Sequence, residues 1–182
     1  AIAAWENAAR LAADGRFGEN KMRIYASQNA PFTIMYDSWK AHSRELVPMT
    51  PEEGRQKSEV ILGKVLSNRK PPYSLAGGLF DVLEKSGGDM FKVSNDEIVS
   101  WVVKYFSLEG YDLFPASACA VSSLKQALDA GIVKHDETVM LNVTGGGMLG
   151  ATRKGFILKE PDLILSPDLP AEEIIAAVDK LF

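Results

Sequence analysis

The residues best suited to chemistry lie at Asn142-Val143-Thr144-Gly145-Gly146-Gly147. A threonine hydroxyl can donate or accept a hydrogen bond, and three glycines let backbone come close to a flat or anionic ligand. The same residues also fit a strand-to-loop turn that holds no ligand, since glycine punctuates many strands. A second candidate is the loop Asn68-Arg69-Lys70-Pro71-Pro72-Tyr73-Ser74. Arg69 and Lys70 sit side by side on a proline-stiffened turn and could recognise phosphate or sulfite oxyanions, Arg as a fork and Lys as a point charge. They equally fit a solvated basic turn. Arg153-Lys154 is a weaker version of the same pattern. His42 and His135 stand far apart among polar residues and read as surface histidines. One cysteine and two histidines make no metal-ligand cluster. Cys119 lies on an apolar helix face and reads as a small core residue. Ser122-Ser123 lacks nucleophile-elbow spacing, and no Walker or dinucleotide glycine motif occurs.

These groups need elements to hold them. Residues 1–14 are alanine-rich, with Ile2, Trp5, Ala9 and Ala12 on one helical face, ended by Gly15. A short strand is predicted over 22–27, and a helix over 31–42 with Phe32, Met35, Tyr36 and Trp39 in register. Thr50-Pro51-Glu52-Glu53 is a capping box with proline at the first helical position, opening a helix to about Leu66. Two prolines then forbid regular structure at 71–72. A helix over 76–85 closes at Gly87-Gly88, and a strand follows over 90–93. Ser94-Asn95-Asp96-Glu97 is a second capping box, opening a helix with Ile98, Val102 and Tyr105 inward. After Pro115 comes a helix with Ala118, Val121, Leu124 and Leu128 inward, stopped by Gly131. Residues 138–143 (TVMLNV) read as a buried strand leading into Thr144. A terminal helix over 168–182 has Ile174, Val178 and Leu181 inward, and 145–167 is the least structured stretch. Strands alternating with helices imply an α/β fold with a largely parallel sheet and flanking helices. In such sheets ligands sit at the carboxyl ends of strands, which is where Thr144 falls.

Composition bounds the rest. The chain has 182 residues, one or two domains' worth, with 20 basic and 24 acidic side chains and a net charge of −4. A chain of this size buries about 70% of its unfolded surface, enough for a core without staples. One cysteine excludes an internal disulfide framework and favours a reducing compartment, the cytoplasm. The mild negative charge argues against a nucleic-acid partner. No apolar run approaches the length of a membrane span, and no signal peptide is recognisable. The chain opens Ala-Ile-Ala-Ala-Trp without an initiator Met, inside a helix already under way, and reads as a segment of something longer.

The opening Ala1-Ile2-Ala3-Ala4-Trp5-Glu6, the stretch from Glu109-Gly110 to Pro115-Ala116-Ser117-Ala118, and Asn142-Val143-Thr144-Gly145 fall in an order that resembles the threonine synthase-like enzymes. Those are pyridoxal-phosphate proteins of fold type II. Within them the chain most resembles the cysteate synthases, on Asp14-Gly15-Arg16-Phe17-Gly18, Ser27-Gln28-Asn29-Ala30-Pro31-Phe32, Asn68 to Ser74, and Thr144 to Gly147. The resemblance covers essentially the whole of 1–182 but only the C-terminal part of such an enzyme, most of its large cofactor-binding domain. It implies pyridoxal 5′-phosphate as cofactor, and synthesis of L-cysteate from O-phospho-L-serine and sulfite in coenzyme M biosynthesis. It also implies a homo-oligomer, and neither nucleic acid nor membrane as partner.

Residue by residue, Thr144, followed by Gly145, matches the threonine that hydrogen-bonds the pyridine nitrogen. Ala1 and Ile2 match the first turn after the family's phosphate loop, with their N–H groups toward the cofactor phosphate. That glycine loop is expected immediately before Ala1, and the Schiff-base lysine and a ring-contacting asparagine are expected upstream as well. No lysine of this chain stands in the family's lysine context, so the chain alone is expected to be inactive. Arg69 and Lys70 remain candidates for substrate oxyanions. Threonine synthases carry an acidic residue just before the Pro-Ala-Ser-Ala stretch, where this chain has Phe114, with Asp112 two residues earlier. Their Gly-His-Gly is Gly-Gly-Gly here. Both departures weaken the alternative of a threonine synthase acting on O-phosphohomoserine. A non-catalytic domain that kept the fold is the third reading.

Overall fold

The computed structural model describes residues 1–153, 155 and 160–181. The elements run α1 (Ile2–Asp14), β1 (Tyr25–Asn29), α2 (Ile34–Lys40), α3 (Pro51–Val60), α4 (Leu79–Ser86), β2 (Asp89–Val93), α5 (Asn95–Glu109), α6 (Pro115–Asp129), α7 (Met148–Arg153) and α8 (Ala171–Val178), with 3-10 turns at Lys64–Leu66 and Asp179–Leu181. The chain divides into two compact units, Ala1–Gly150 and Ala151–Phe182. The α/β expectation holds: β1 and β2 pair in parallel, Tyr25 opposite Asp89 through Asn29 opposite Val93, and helices flank them.

Both capping boxes form as predicted. Thr50 Oγ1 accepts from the Glu53 N–H at 3.2 Å while Glu53 Oε2 accepts from the Thr50 N–H at 2.7 Å. Ser94 and Glu97 repeat the pair at 3.2 and 2.7 Å. Each satisfies two helix-terminal donors that would otherwise be orphans.

Several boundaries differ from the sequence expectation. The first strand lies at 25–29 rather than 22–27, because the Ile24 N–H donates to the Ser86 hydroxyl (3.3 Å) and pairing with β2 starts at Tyr25. The 31–42 helix is confined to 34–40. The helix expected to reach Leu66 stops at Val60, where Asn95 Nδ2 donates to the Val60 carbonyl at 2.8 Å. Ile61 then turns extended and is fully buried against Phe32 and Ile34. Residues 138–143 form no strand among the described residues. Val139 and Met140 are exposed, and the apolar run finds no neighbouring strand to pair with, so the buried-strand reading is corrected. Within 145–167 a short helix, α7, forms. In the second unit no described residue is buried, and Val178 and Leu181 are exposed. Thirty-odd residues are too few to enclose a face of their own. Lys154 and Phe182 lie outside the described residues.

Two core clusters position the candidate groups. One gathers Ile24, Trp39, Tyr73, Leu79, Leu83 and Met90, with Ile2 and Trp5 of α1 packed against it. The other gathers Val93, Ile98, Leu113, Ala118, Cys119 and Val121, with Leu141 and Val143 packed against it. Cys119 is fully buried, and burial pushes its thiol up to about 11. The thiolate is the reactive form, so native protein at pH 8 is expected to react with a thiol reagent about a hundredfold more slowly than denatured protein. Stoichiometric labelling at equal rates in both states would refute this.

Candidate cofactor and substrate site

The Thr144 loop is built against the start of α6. Pro115 occupies the first helical position, where a missing N–H costs nothing. Two positions on, Ser117 is 4% exposed, and its hydroxyl accepts from the Gly145 N–H at 3.0 Å. The Phe114 N–H donates to the Gly145 carbonyl at 3.2 Å, and the Gly147 N–H donates to the Asp112 carbonyl at 2.8 Å. Leu113 and Gly146 thereby form an antiparallel bridge. The Asp112 carboxylate accepts from the Leu149 N–H at 2.9 Å.

Alternation then sorts the side chains. Leu141 and Val143 turn toward the second core cluster, while Asn142 and Thr144 are exposed. The Thr144 hydroxyl makes no hydrogen bond within the described residues. Beside the loop lies a cleft of about 350 Å³, lined by Tyr105, Tyr111, Asp112, Val143, Gly146 and Gly147. A Cβ on Gly146 would meet nothing within 4 Å, so the backbone there can be approached closely.

Arg69 and Lys70 line a different cleft, of about 640 Å³, with Met49, Pro51, Ser67 and Asn68. Asn68 Oδ1 accepts from the Lys70 N–H at 2.9 Å, fixing the turn. The Arg69 stem lies against α3, with its Cδ 2.8 Å from where a Cβ on Gly54 would sit. Neither cationic head is paired among the described residues. The proline pair leads into Tyr73, which is fully buried. Its hydroxyl donates to the Ser43 carbonyl at 2.9 Å, and burial pushes it up to about 12.

Ala1 is exposed and caps α1 without a side-chain bond, so the first N–H groups of that helix stay open. Ile2 is half-buried against the first core cluster. Thr144 and Gly145, Arg69 and Lys70, and Ala1 and Ile2 thus occupy three separate places, with no hydrogen bond joining them among the described residues. His42 and His135 are both exposed. No group of three metal-ligating side chains occurs among the described residues, and no described helix is long and apolar enough to cross a membrane.

Sequence reasoning gave Ser117 no role and left Asp112 open. Both act through residues 28 to 37 positions away, and only the exclusion of a side chain at Gly145 and Gly147 hinted at close neighbours.

No family model matches the chain. It is 39% identical over 176 residues to a cysteate synthase of Methanosarcina acetivorans, covering 95% of this chain and 42% of that protein. To a cysteate synthase of Methanocella paludicola it is 40% identical over 180 residues, covering 97% and 42%. To one of Methanoculleus marisnigri it is 45% identical over 147 residues, covering 80% and 34%. The chain spans about two fifths of the length of the curated relatives that it matches along nearly its whole extent. By this likeness the chain belongs to the cysteate synthase family.

Proposed function

We propose that the chain forms part of a pyridoxal 5′-phosphate-dependent β-replacement enzyme, making L-cysteate from O-phospho-L-serine and sulfite in the cytoplasm, as a step of coenzyme M biosynthesis. One observation carries the reading: in a chain of this family, Thr144 presents an exposed hydroxyl that has no hydrogen-bond partner among the described residues, on a loop held by three backbone N–H bonds. A polar group left free on an otherwise tied loop suits a ligand atom. Bound there, the cofactor supplies an electron sink that eases loss of the α-proton and departure of a β-substituent.

The residues of this chain do the rest by position and charge. The Thr144 hydroxyl meets the pyridine nitrogen as a neutral partner and cannot enforce its protonation as a carboxylate would. Gly145 and Gly146 keep side chains away from the ring. The open N–H groups at Ala1 and Ile2 suit a phosphate, because a helix N-terminus carries partial positive charge. Arg69 and Lys70 offer unpaired cations to an anionic substrate; Arg69 can fork onto two oxygens. The proton-abstracting lysine comes from residues that this chain does not span, so the chain alone does not turn over.

The test is phosphate release by a complete enzyme carrying this chain, with O-phospho-L-serine or O-phospho-L-homoserine, each with and without sulfite. Sulfite-dependent release from phosphoserine is expected. Release from phosphohomoserine that ignores sulfite overturns the reading in favour of threonine synthesis.

A further inference from the structure

We propose that Asp112 and Ser117 are positioning residues that clamp the Thr144 loop and so aim its hydroxyl; the functional half of this rests on the reading of Thr144 as a cofactor contact. Among the described residues Thr144 makes no hydrogen bond of its own that would fix it, so its direction is set by the residues on either side. After it, the N–H groups of Gly145, Gly147 and Leu149 are all tied, to Ser117 Oγ, the Asp112 carbonyl and Asp112 Oδ2 at 3.0, 2.8 and 2.9 Å. The carbonyl of Asp112 would be there with any residue. The two side-chain acceptors depend on the identity of residues 112 and 117. Ser117 is shielded from water, so its bond is not in open competition with solvent.

The glycines match these acceptors by space rather than by torsion. Neither Gly145 nor Gly147 has a left-handed φ. A Cβ on Gly147 would lie 1.9 Å from Asp112 Oδ2, 2.2 Å from its Cγ and 2.9 Å from its Cβ. A Cβ on Gly145 would lie 3.1 Å from Phe114 Cδ2 and 3.2 Å from Ser117 Oγ. Residue 147 is therefore empty where residue 112 is full. Asp112 fills the space a side chain at residue 147 would need, and its carbonyl and carboxylate hold the bridge and the start of α7. The Thr144-to-Gly147 stretch is then a surface cut to fit Asp112 and Ser117.

Two measurements on the 182-residue chain test the clamp. By amide exchange, Asp112→Ala is expected to speed Leu149 and Ser117→Ala to speed Gly145 by about fivefold, the loss of one net hydrogen bond. Asp112→Asn keeps an acceptor oxygen and is expected to restore Leu149 protection. In a double-mutant cycle read by denaturant midpoint, Gly147→Ala is expected to lower the midpoint strongly alone and less in the Asp112→Ala background, since the 1.9 and 2.2 Å contacts with the carboxylate are gone and only the 2.9 Å contact with the Asp112 Cβ remains. Unchanged exchange at both amides, or strict additivity in the cycle, overturns the clamp. On a complete enzyme carrying this chain, Asp112→Ala and Ser117→Ala are expected to weaken pyridoxal 5′-phosphate binding several-fold by cofactor fluorescence, and Thr144→Val at least as much. Unchanged affinity in Thr144→Val overturns the cofactor reading while leaving the clamp to the exchange data.

Discussion

Gly88→Ala is expected to destabilise the larger unit by about 3 kcal/mol or more. Gly88 lies between the end of α4 and the first residue of β2, and a Cβ there would sit 1.8 Å from the Ile24 carbonyl oxygen and 2.8 Å from its carbon. The obstacle is backbone, so no rotamer change relieves it. That carbonyl also accepts the Asp89 N–H at 3.3 Å, the contact that leads into the β1–β2 register. The Ile24 N–H is in turn tied to Ser86. Moving Ile24 away therefore strains the strand pairing, and moving Gly88 pulls Met90 from the core, where it is fully buried. Overpacking costs about 1–3 kcal/mol where side chains can give way, and a backbone collision belongs at or above the top of that range. Against a total stability of about 5–15 kcal/mol, a loss of roughly 3 kcal/mol or more is at least a fifth, and at the low end more than half, of what a small domain has. Gly87→Ala is the control. Gly87 has φ 65° with nothing within 4 Å of its Cβ position, so only the left-handed backbone is penalised, by about 1–2 kcal/mol. Far-UV circular dichroism against denaturant compares the two. Equal midpoints for the neighbours would contradict the steric account.

What sequence could reveal follows how local each interaction is. Thr50 with Glu53 and Ser94 with Glu97 close within one helical turn, so both helix starts were legible. The end of α3 was not, because Val60 is capped by an asparagine 35 residues on. The start of β1 was displaced for the same reason, its register being set by Ser86 and Gly88. Residues 138–143 show the converse. Their composition suits a strand, but a strand also needs a partner's N–H and C=O groups, which propensity does not supply. At the candidate site, the hydroxyl and the glycines were legible as types. The clamp was hidden because it is made by a bridge between segments distant in sequence.

Asn29→Ala is expected to destabilise the larger unit by about 3 kcal/mol, from the orphaned Gly63 N–H at about 1–3 kcal/mol together with the lost amide bonds and a small void. Asn29 is the last residue of β1, fully buried opposite Val93. Its Nδ2 donates to the Val93 carbonyl at 3.0 Å, the Ala30 carbonyl at 3.1 Å and Asn95 Oδ1 at 3.1 Å. Its Oδ1 accepts from the buried Gly63 N–H at 2.9 Å. One amide thus joins the ends of both strands, the segment after α3 and the start of α5. Losing it costs the Gly63 N–H its acceptor, while Val93 keeps the Ala30 N–H at 2.8 Å. Asn95 keeps the Leu62 N–H at 3.1 Å. Asn29→Asp separates donor from acceptor. It retains an oxygen for Gly63 but has no N–H for the carbonyls, and it places a carboxylate where three acceptor oxygens converge. Burial and those oxygens favour the protonated acid, raising its folded pKa above the unfolded value of about 3.9. The folded state then holds more protons than the unfolded one, so stability falls as pH rises from about 4 toward the raised value. Denaturant midpoints at pH 5 and pH 7 should therefore differ for Asn29→Asp, lower at pH 7, with no matching difference for Asn29→Ala. If Asn29→Ala cost less than about 1 kcal/mol, the value of a single ordinary bond, the amide would not be the junction that its four contacts describe.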